Sequence, residues 1–239
     1  MKELLERVLK ELPTYLPDLV GLVSRPKRTI ARLIDAAAGD LTRPLVFVAV
    51  SVAIGFLLQL PQLGKEQDFA TLVASMAVFK VLALIGFAAI IHGCFLAVRG
   101  TASFNATFSV YLYLVSPLYI VLVVLEIASL GVLREYDPAL AAAARINPSH
   151  VFDRPDEFAA FAKAMPGHAT AYLVLAVARI ALFVGWGIAC WGAFRRVHAV
   201  PRWRSVIAWL AAFVAFVPFA WSLNYVLLGM FGMAAPALR

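Results

Sequence analysis

Ala169–Phe194, ATAYLVLAVARIALFVGWGIACWGAF, runs for 26 residues with one charge, Arg179. A helix rises about 1.5 Å per residue, so this stretch outspans a bilayer core about 30 Å thick. Four more runs resemble it: Pro44–Leu60, Phe69–Val98, Phe108–Leu133 and Val206–Phe231. None alternates polar and apolar residues, and all are too long for barrel strands. In lipid every backbone N–H and C=O must be satisfied within the structure, which leaves helices. The sequence therefore predicts an all-α integral membrane bundle of five transmembrane helices with amphipathic N-terminal helices.

Composition agrees. The chain is 63% hydrophobic and 15% charged, with a mean hydropathy of +0.86. A water-soluble domain of this size would carry more charge and shorter apolar runs. The first run opens only at Pro44, which fits a retained signal-anchor better than a cleaved leader.

Cations set the expected orientation. Lys2, Arg7, Lys10, Arg25, Lys27, Arg28, Arg32 and Arg43 precede the first run, and Arg195, Arg196, Arg202 and Arg204 follow the fourth. The positive-inside rule then places the N-terminus, the Arg99 break and the Arg195–Arg204 break in the cytoplasm, and the C-terminus outside. Most of the net charge of +7 would face anionic headgroups rather than nucleic acid. Lys27, Arg28, Arg32, Arg195 and Arg196 are the expected membrane-surface contacts. Cys94 and Cys190 belong to no CxxC or Cys/His spacing and read as small buried apolar residues.

Three regions follow: a cytoplasmic amphipathic segment over 1–43, a membrane domain over 44–232 and a tail over 233–239. In Lys2–Leu12, Leu4, Leu5, Val8, Leu9 and Leu12 share one helical face, the pattern of a helix lying in the interface plane. Pro13 and Pro17 are expected to interrupt it. Ser24 is the expected N-cap of a second helix running to about Ala38, with Ile30, Leu33 and Ile34 toward lipid and Gly39 ending it. Within the membrane domain, the external segment 134–168 is expected to form a cap with helices over Ala139–Arg145 and Glu157–Met165. Pro117 and Pro218 fall inside runs three and five and should bend them. Ala89, Gly93 and Ala97, and the stripe Gly185, Gly187, Ala189, Gly192 and Ala193, let helices approach closely; packing within the chain explains them more simply than a dimer face.

Three landmarks, in this order around the five runs, carry a family resemblance. The first is Ser24-Arg-Pro-Lys-Arg-Thr-Ile-Ala-Arg-Leu-Ile leading through Arg43-Pro44-Leu. The second is Arg99-Gly-Thr-Ala-Ser-Phe-Asn-Ala-Thr-Phe, followed by Tyr111-Leu-Tyr-Leu-Val-Ser-Pro117. The third is Trp191-Gly-Ala-Phe-Arg-Arg-Val-His198, then Trp203-Arg-Ser-Val. Over roughly 22–232 the chain resembles the bacterial branch of the Yip family, named for interaction with Ypt/Rab GTPases. The resemblance implies five helices, a cytoplasmic N-terminus, no enzyme activity and no cofactor. The acidic Asp-Leu-Tyr-Gly-Pro element of eukaryotic members is absent here, so a Rab-type GTPase partner does not carry over.

Chemical motifs are sparse. There is no HExxH, no Gly-x-Ser-x-Gly and no phosphate-cradling glycine loop, and His92, His150, His168 and His198 read as scattered over different depths. The ionisable residues within runs are Lys80, Glu126 and Arg179. The expected topology sets Lys80 roughly 16 Å, Arg179 roughly 15 Å and Glu126 roughly 10 Å below the outer ends of their runs. The simplest reading is a buried salt-bridge network; the alternative is a polar cavity that receives an anion. The expected function is a non-enzymatic inner-membrane protein that binds lipids or protein partners. The alternatives are an accessory subunit of a larger complex, a homo-oligomer, or a small-solute or lipid transporter using that charged layer.

Overall fold

The computed structural model describes residues 2–37, 40–62, 69–146 and 150–230, and every described element is helical. In chain order these are α1 (Lys2–Ser24), α2 (Pro26–Ala37), α3 (Thr42–Gln59, followed by a 3-10 turn at Leu60–Gln62), α4 (Phe69–Ala97), α5 (Phe104–Tyr136), α6 (Pro138–Ile146), α7 (His150–Asp153), α8 (Pro155–Ala164), α9 (Pro166–Val197) and α10 (Arg202–Met230). Four stretches are long and apolar enough to cross a bilayer: Thr42–Gln59, Phe104–Tyr136, Pro166–Val197 and Arg202–Leu223. The expected span Phe69–Val98 is represented among the described residues by the shorter apolar segment Val81–Ala97.

The N-terminal helices depart from expectation in three ways. Pro13 and Pro17 do not interrupt α1, which is helical from Lys2 to Ser24. Their spacing of four puts both on one face, and both are exposed, so the lost N–H donors open toward the outside and spare the face carrying Tyr15, Asp18 and Leu22. Ser24 does not cap α2: its hydroxyl donates back to Val20 O at 2.7 Å. Arg25 does so through its carbonyl, which accepts from Arg28 N (3.1 Å) and Thr29 N (3.0 Å). Finally, Ile30 and Leu33 do not face lipid but are each 1% exposed, because α2 folds back on α1 and buries that stripe within the protein. The side chains of Leu4, Leu5, Val8, Leu9, Leu12 and Ile34, and Gly39 itself, lie outside the described residues.

The described residues form two compact units. The first comprises the described residues within 2–49, 69–115 and 189–230. Here Tyr15 of α1 packs on Phe47 of α3 (4.7 Å between ring centroids), which meets Tyr113 of α5 edge-on at 5.4 Å. α4 and α10 pack through Phe87 against Phe216 and Phe219 at 4.8 and 5.2 Å. Gly86 permits this, because a Cβ there would collide with the Phe219 ring. The expected small-residue stripe of α4 does not pack within the chain. Ala89, Gly93 and Ala97 are exposed, and nothing lies within 4 Å of a Cβ at Gly93.

α4 and α9 end in the same way. Arg99 (φ 69°) and Ala199 (φ 52°) adopt the left-handed conformation that usually calls for glycine. Gly100 N then donates to Phe95 O (2.8 Å) and Val200 N to Arg195 O (3.3 Å), closing each helix end. Thr101 N donates across to His198 O at 3.1 Å, joining the two turns.

The second unit comprises Val50–Gln62 and Ser116–Ile188. Leu130, Leu133, Leu140, Ala141, Ala144, Val151, Phe161, Ala169 and Tyr172 form its core. The two helices expected in 134–168 are present as α6 and α8, with α7 between them. Tyr136 packs on Phe161 at 4.9 Å, and His168 Nε2 meets Glu135 Oε2 at 2.6 Å, so α6–α8 fold onto the ends of α5 and α9.

Candidate functional site

Two polar constellations lie in the first unit. The first begins with Asp18, a carboxylate on the inner face of α1. Its side chain is 6% exposed and takes Arg32 Nη2 on one oxygen and Arg43 Nη2 on the other, each at 2.8 Å. A buried carboxylate needs such partners, and their geometry fixes α1, α2 and the start of α3 together. With Asp18 turned inward, helical spacing turns Leu16, Val20 and Val23 outward, and they are 65%, 65% and 56% exposed. Lys27, Arg28 and Arg32 are exposed on α2. This shelf of apolar and cationic side chains is what an amphipathic element offers a membrane surface.

Lys27 also reaches α9. The end of its side chain lies against Gly192, with Nζ 3.0 Å from where a Cβ would stand. Arg195 and Arg196 follow one turn later. Arg196 is exposed; Arg195 is half-buried, its guanidinium 5.8 Å from the Trp191 ring and its Nε buried without a hydrogen-bond partner. Trp191 Nε1 donates to Ser205 Oγ at 3.0 Å, and Trp203 stands exposed beside Arg204. Indoles in such positions are characteristic of the membrane–water interface. Lys27 is thus brought against α9 one turn before Arg195 and Arg196, while Arg32 is engaged by Asp18.

The second constellation corrects the reading of scattered histidines. Thr107 Oγ1 lies 3.0 Å from His92 Nδ1 and 2.9 Å from His198 Nε2, and it donates to Ser103 O at 3.1 Å. A hydroxyl has one proton to give and two lone pairs to offer. All three contacts are satisfied together when both imidazoles donate to Thr107. His198 is then the Nε2–H tautomer, and its Nδ1, buried and without a partner, carries the bare lone pair. The His198 ring stacks on Phe95 at 4.7 Å and lies 5.7 Å from His92. Burial, and secondarily the neighbouring His92, pulls the His198 pKa down to about 4, so the ring is neutral at pH 7. Nδ1 faces Gly100, where a Cβ would stand 2.6 Å from it. The arrangement ties the ends of α4 and α9 to the first turn of α5.

In the second unit, Glu126 of α5 and Arg179 of α9 are both half-buried. Glu126 acts electrostatically on Tyr119 and Arg179 on Tyr172. The side chain of Lys80 lies outside the described residues. Among the described residues no cluster of three or more His, Cys, Asp or Glu could hold a metal ion. An open cavity of about 300 Å³ is lined by Tyr136, Asp137, Leu140 and Glu157 of the cap.

Sequence reasoning passed over Asp18 and Thr107. Asp18 had one signal, an acidic residue next to the apolar face of a basic amphipathic segment. Thr107 stood in the second landmark, just before the third apolar run, and His198 ended the third landmark, but nothing in the sequence joined the two.

A family model described as Yip1 domain matches residues 20–233. That range takes in the second constellation whole and the first without Leu16 and Asp18. No curated protein and no solved structure matches the chain.

Proposed function

This chain belongs to the Yip1 domain family, and on that premise we propose a non-enzymatic multi-span membrane protein that works by binding anionic lipid, and protein partners, at one membrane face. The observation that carries the reading is the shelf formed by α1 and α2. Asp18 locks α1 in a rotation that leaves Leu16, Val20 and Val23 outward beside Lys27 and Arg28. Apolar insertion and cationic attraction add in such an element, and neither suffices alone. The cation bias supports this shelf on the cytoplasmic side and the C-terminus outside, and the resemblance to the bacterial branch supports a bacterial inner membrane.

Hydrogen exchange on the full chain in nanodiscs tests the reading. Backbone amides of residues 13–24 should exchange more slowly in phosphatidylglycerol discs than in phosphatidylcholine discs. The difference should shrink in the L16S/V20S/V23S variant. Equal exchange in the two lipids overturns it.

A further inference from the structure

The geometry points to a phosphate-binding notch for the headgroup of an anionic phospholipid, built by Lys27, Arg195 and Arg196 around Gly192; it rests on the lipid-binding reading above and gives it an address. Gly192 supplies the space. Because position 192 has no side chain, the Lys27 stem lies flat on α9 and its ammonium stops there. Residues three and four apart on a helix are neighbours about 5–6 Å apart at Cβ, so positions 195 and 196 flank the position against which that ammonium lies. Among the described residues, none of these three cations has a carboxylate partner. Arg195 Nε is in addition a buried donor with no acceptor. A buried donor is seldom left so without a water, an ion or a ligand.

The start of α2 makes the same demand independently. A helix N-terminus carries partial positive charge and free N–H groups, and favours acidic residues. α2 has no acidic residue in its first turn, and instead places Lys27 and Arg28 there directly after Arg25. Like charges stacked on a positive dipole end repel unless an anion sits among them. A phosphate suits the parts: arginine grips it with paired N–H groups, lysine adds a point charge, and the positive end of the helix dipole favours an anion.

The apolar surroundings select a lipid over a free phosphate. Val20 and Val23 stand exposed on α1 within a few residues of Lys27. They offer acyl chains a surface adjoining the cations, which a free ion does not need.

The test uses the detergent-purified full chain and a fluorescent phosphatidylglycerol, with phosphatidylcholine as reference and millimolar inorganic phosphate as competitor. The wild type should prefer phosphatidylglycerol. K27Q and R195Q should each weaken its binding several-fold, and the double variant by about tenfold or more. Gly192→Ala should weaken it as K27Q does while leaving the melting temperature in place, since only the flexible end of Lys27 must move aside. K27Q and Gly192→Ala keep the test decisive should R195Q fold poorly. The notch is overturned if the double variant and Gly192→Ala bind phosphatidylglycerol like the wild type. In that case, slower exchange of residues 13–24 in anionic discs would leave the general surface reading standing. Saturable binding of inorganic phosphate with no preference between the two lipids would overturn the lipid and assign the notch to a free anion.

Discussion

His198 Nε2 lies 2.9 Å from Thr107 Oγ1, across 91 residues of chain. With His92 on the same hydroxyl, this contact fastens the end of α9 to α4 and the first turn of α5. Thr107→Val keeps the shape and removes the hydroxyl, leaving two imidazole donors and no acceptor. The expected loss is about 1–3 kcal/mol, read as a lower melting temperature in detergent. Thr107→Ser should retain most of the stability; equal melting of T107V and wild type would refute the network.

The same histidine sets a pH dependence. Its folded pKa of about 4 lies below the ordinary 6.5 of an unfolded histidine. The unfolded chain therefore takes up the proton first as pH falls. Stability from this group is complete above about pH 6.5, drains between 6.5 and 4, and is flat below. The expected loss is on the order of 3 kcal/mol. His198→Gln should flatten that part of the profile, and an unchanged slope would discount His198.

Asp18 gives a mutational contrast. Asp18→Asn removes the charge of a carboxylate 6% exposed and weakens both arginine contacts, so it should cost about 1–3 kcal/mol. Arg32→Gln removes a largely exposed partner and should cost less than about 1 kcal/mol. Chemical denaturation of the two variants separates them.

Two glycines of α4 should behave oppositely. Gly86→Ala drives a methyl group into the Phe219 ring and should cost about 1–3 kcal/mol through the α4–α10 contact. Gly93→Ala enters open space and should be neutral or slightly stabilising, since alanine is the better helix former. Melting temperatures of the two single variants decide it.

Topology is open to a direct measurement. Reporter fusions at Met1 and Arg239 should light up on opposite faces of the membrane, with the Met1 fusion cytoplasmic. Termini on the same face would remove the five-span arrangement.

The amino-acid pattern alone was enough for the solvent and the element type. A run such as Ala169–Phe194 can satisfy its backbone in lipid only as a helix, and that follows from length and apolarity without any neighbour. The cap helices were legible for a similar local reason, since prolines bound them. What escaped was every feature that depends on a partner distant in sequence. Pro13 and Pro17 look like breakers until the inner face of α1 is seen to keep its contacts. Ile30 and Leu33 look lipid-facing until α2 is seen folded on α1. His92 and His198 look unrelated because their meeting depends on how the ends of α4 and α9 are brought together.

The sequence by itself determined that this chain is helical, that it lives in a membrane and that its charge is concentrated in particular breaks, because each of these follows from local chemistry in a given solvent. Only the tertiary structure decided that Lys27 lies on Gly192, that Asp18 holds Arg32 and Arg43, and that one threonine hydroxyl joins two histidines. Those are distances between residues far apart in the chain, and helix packing sets them where no local propensity can.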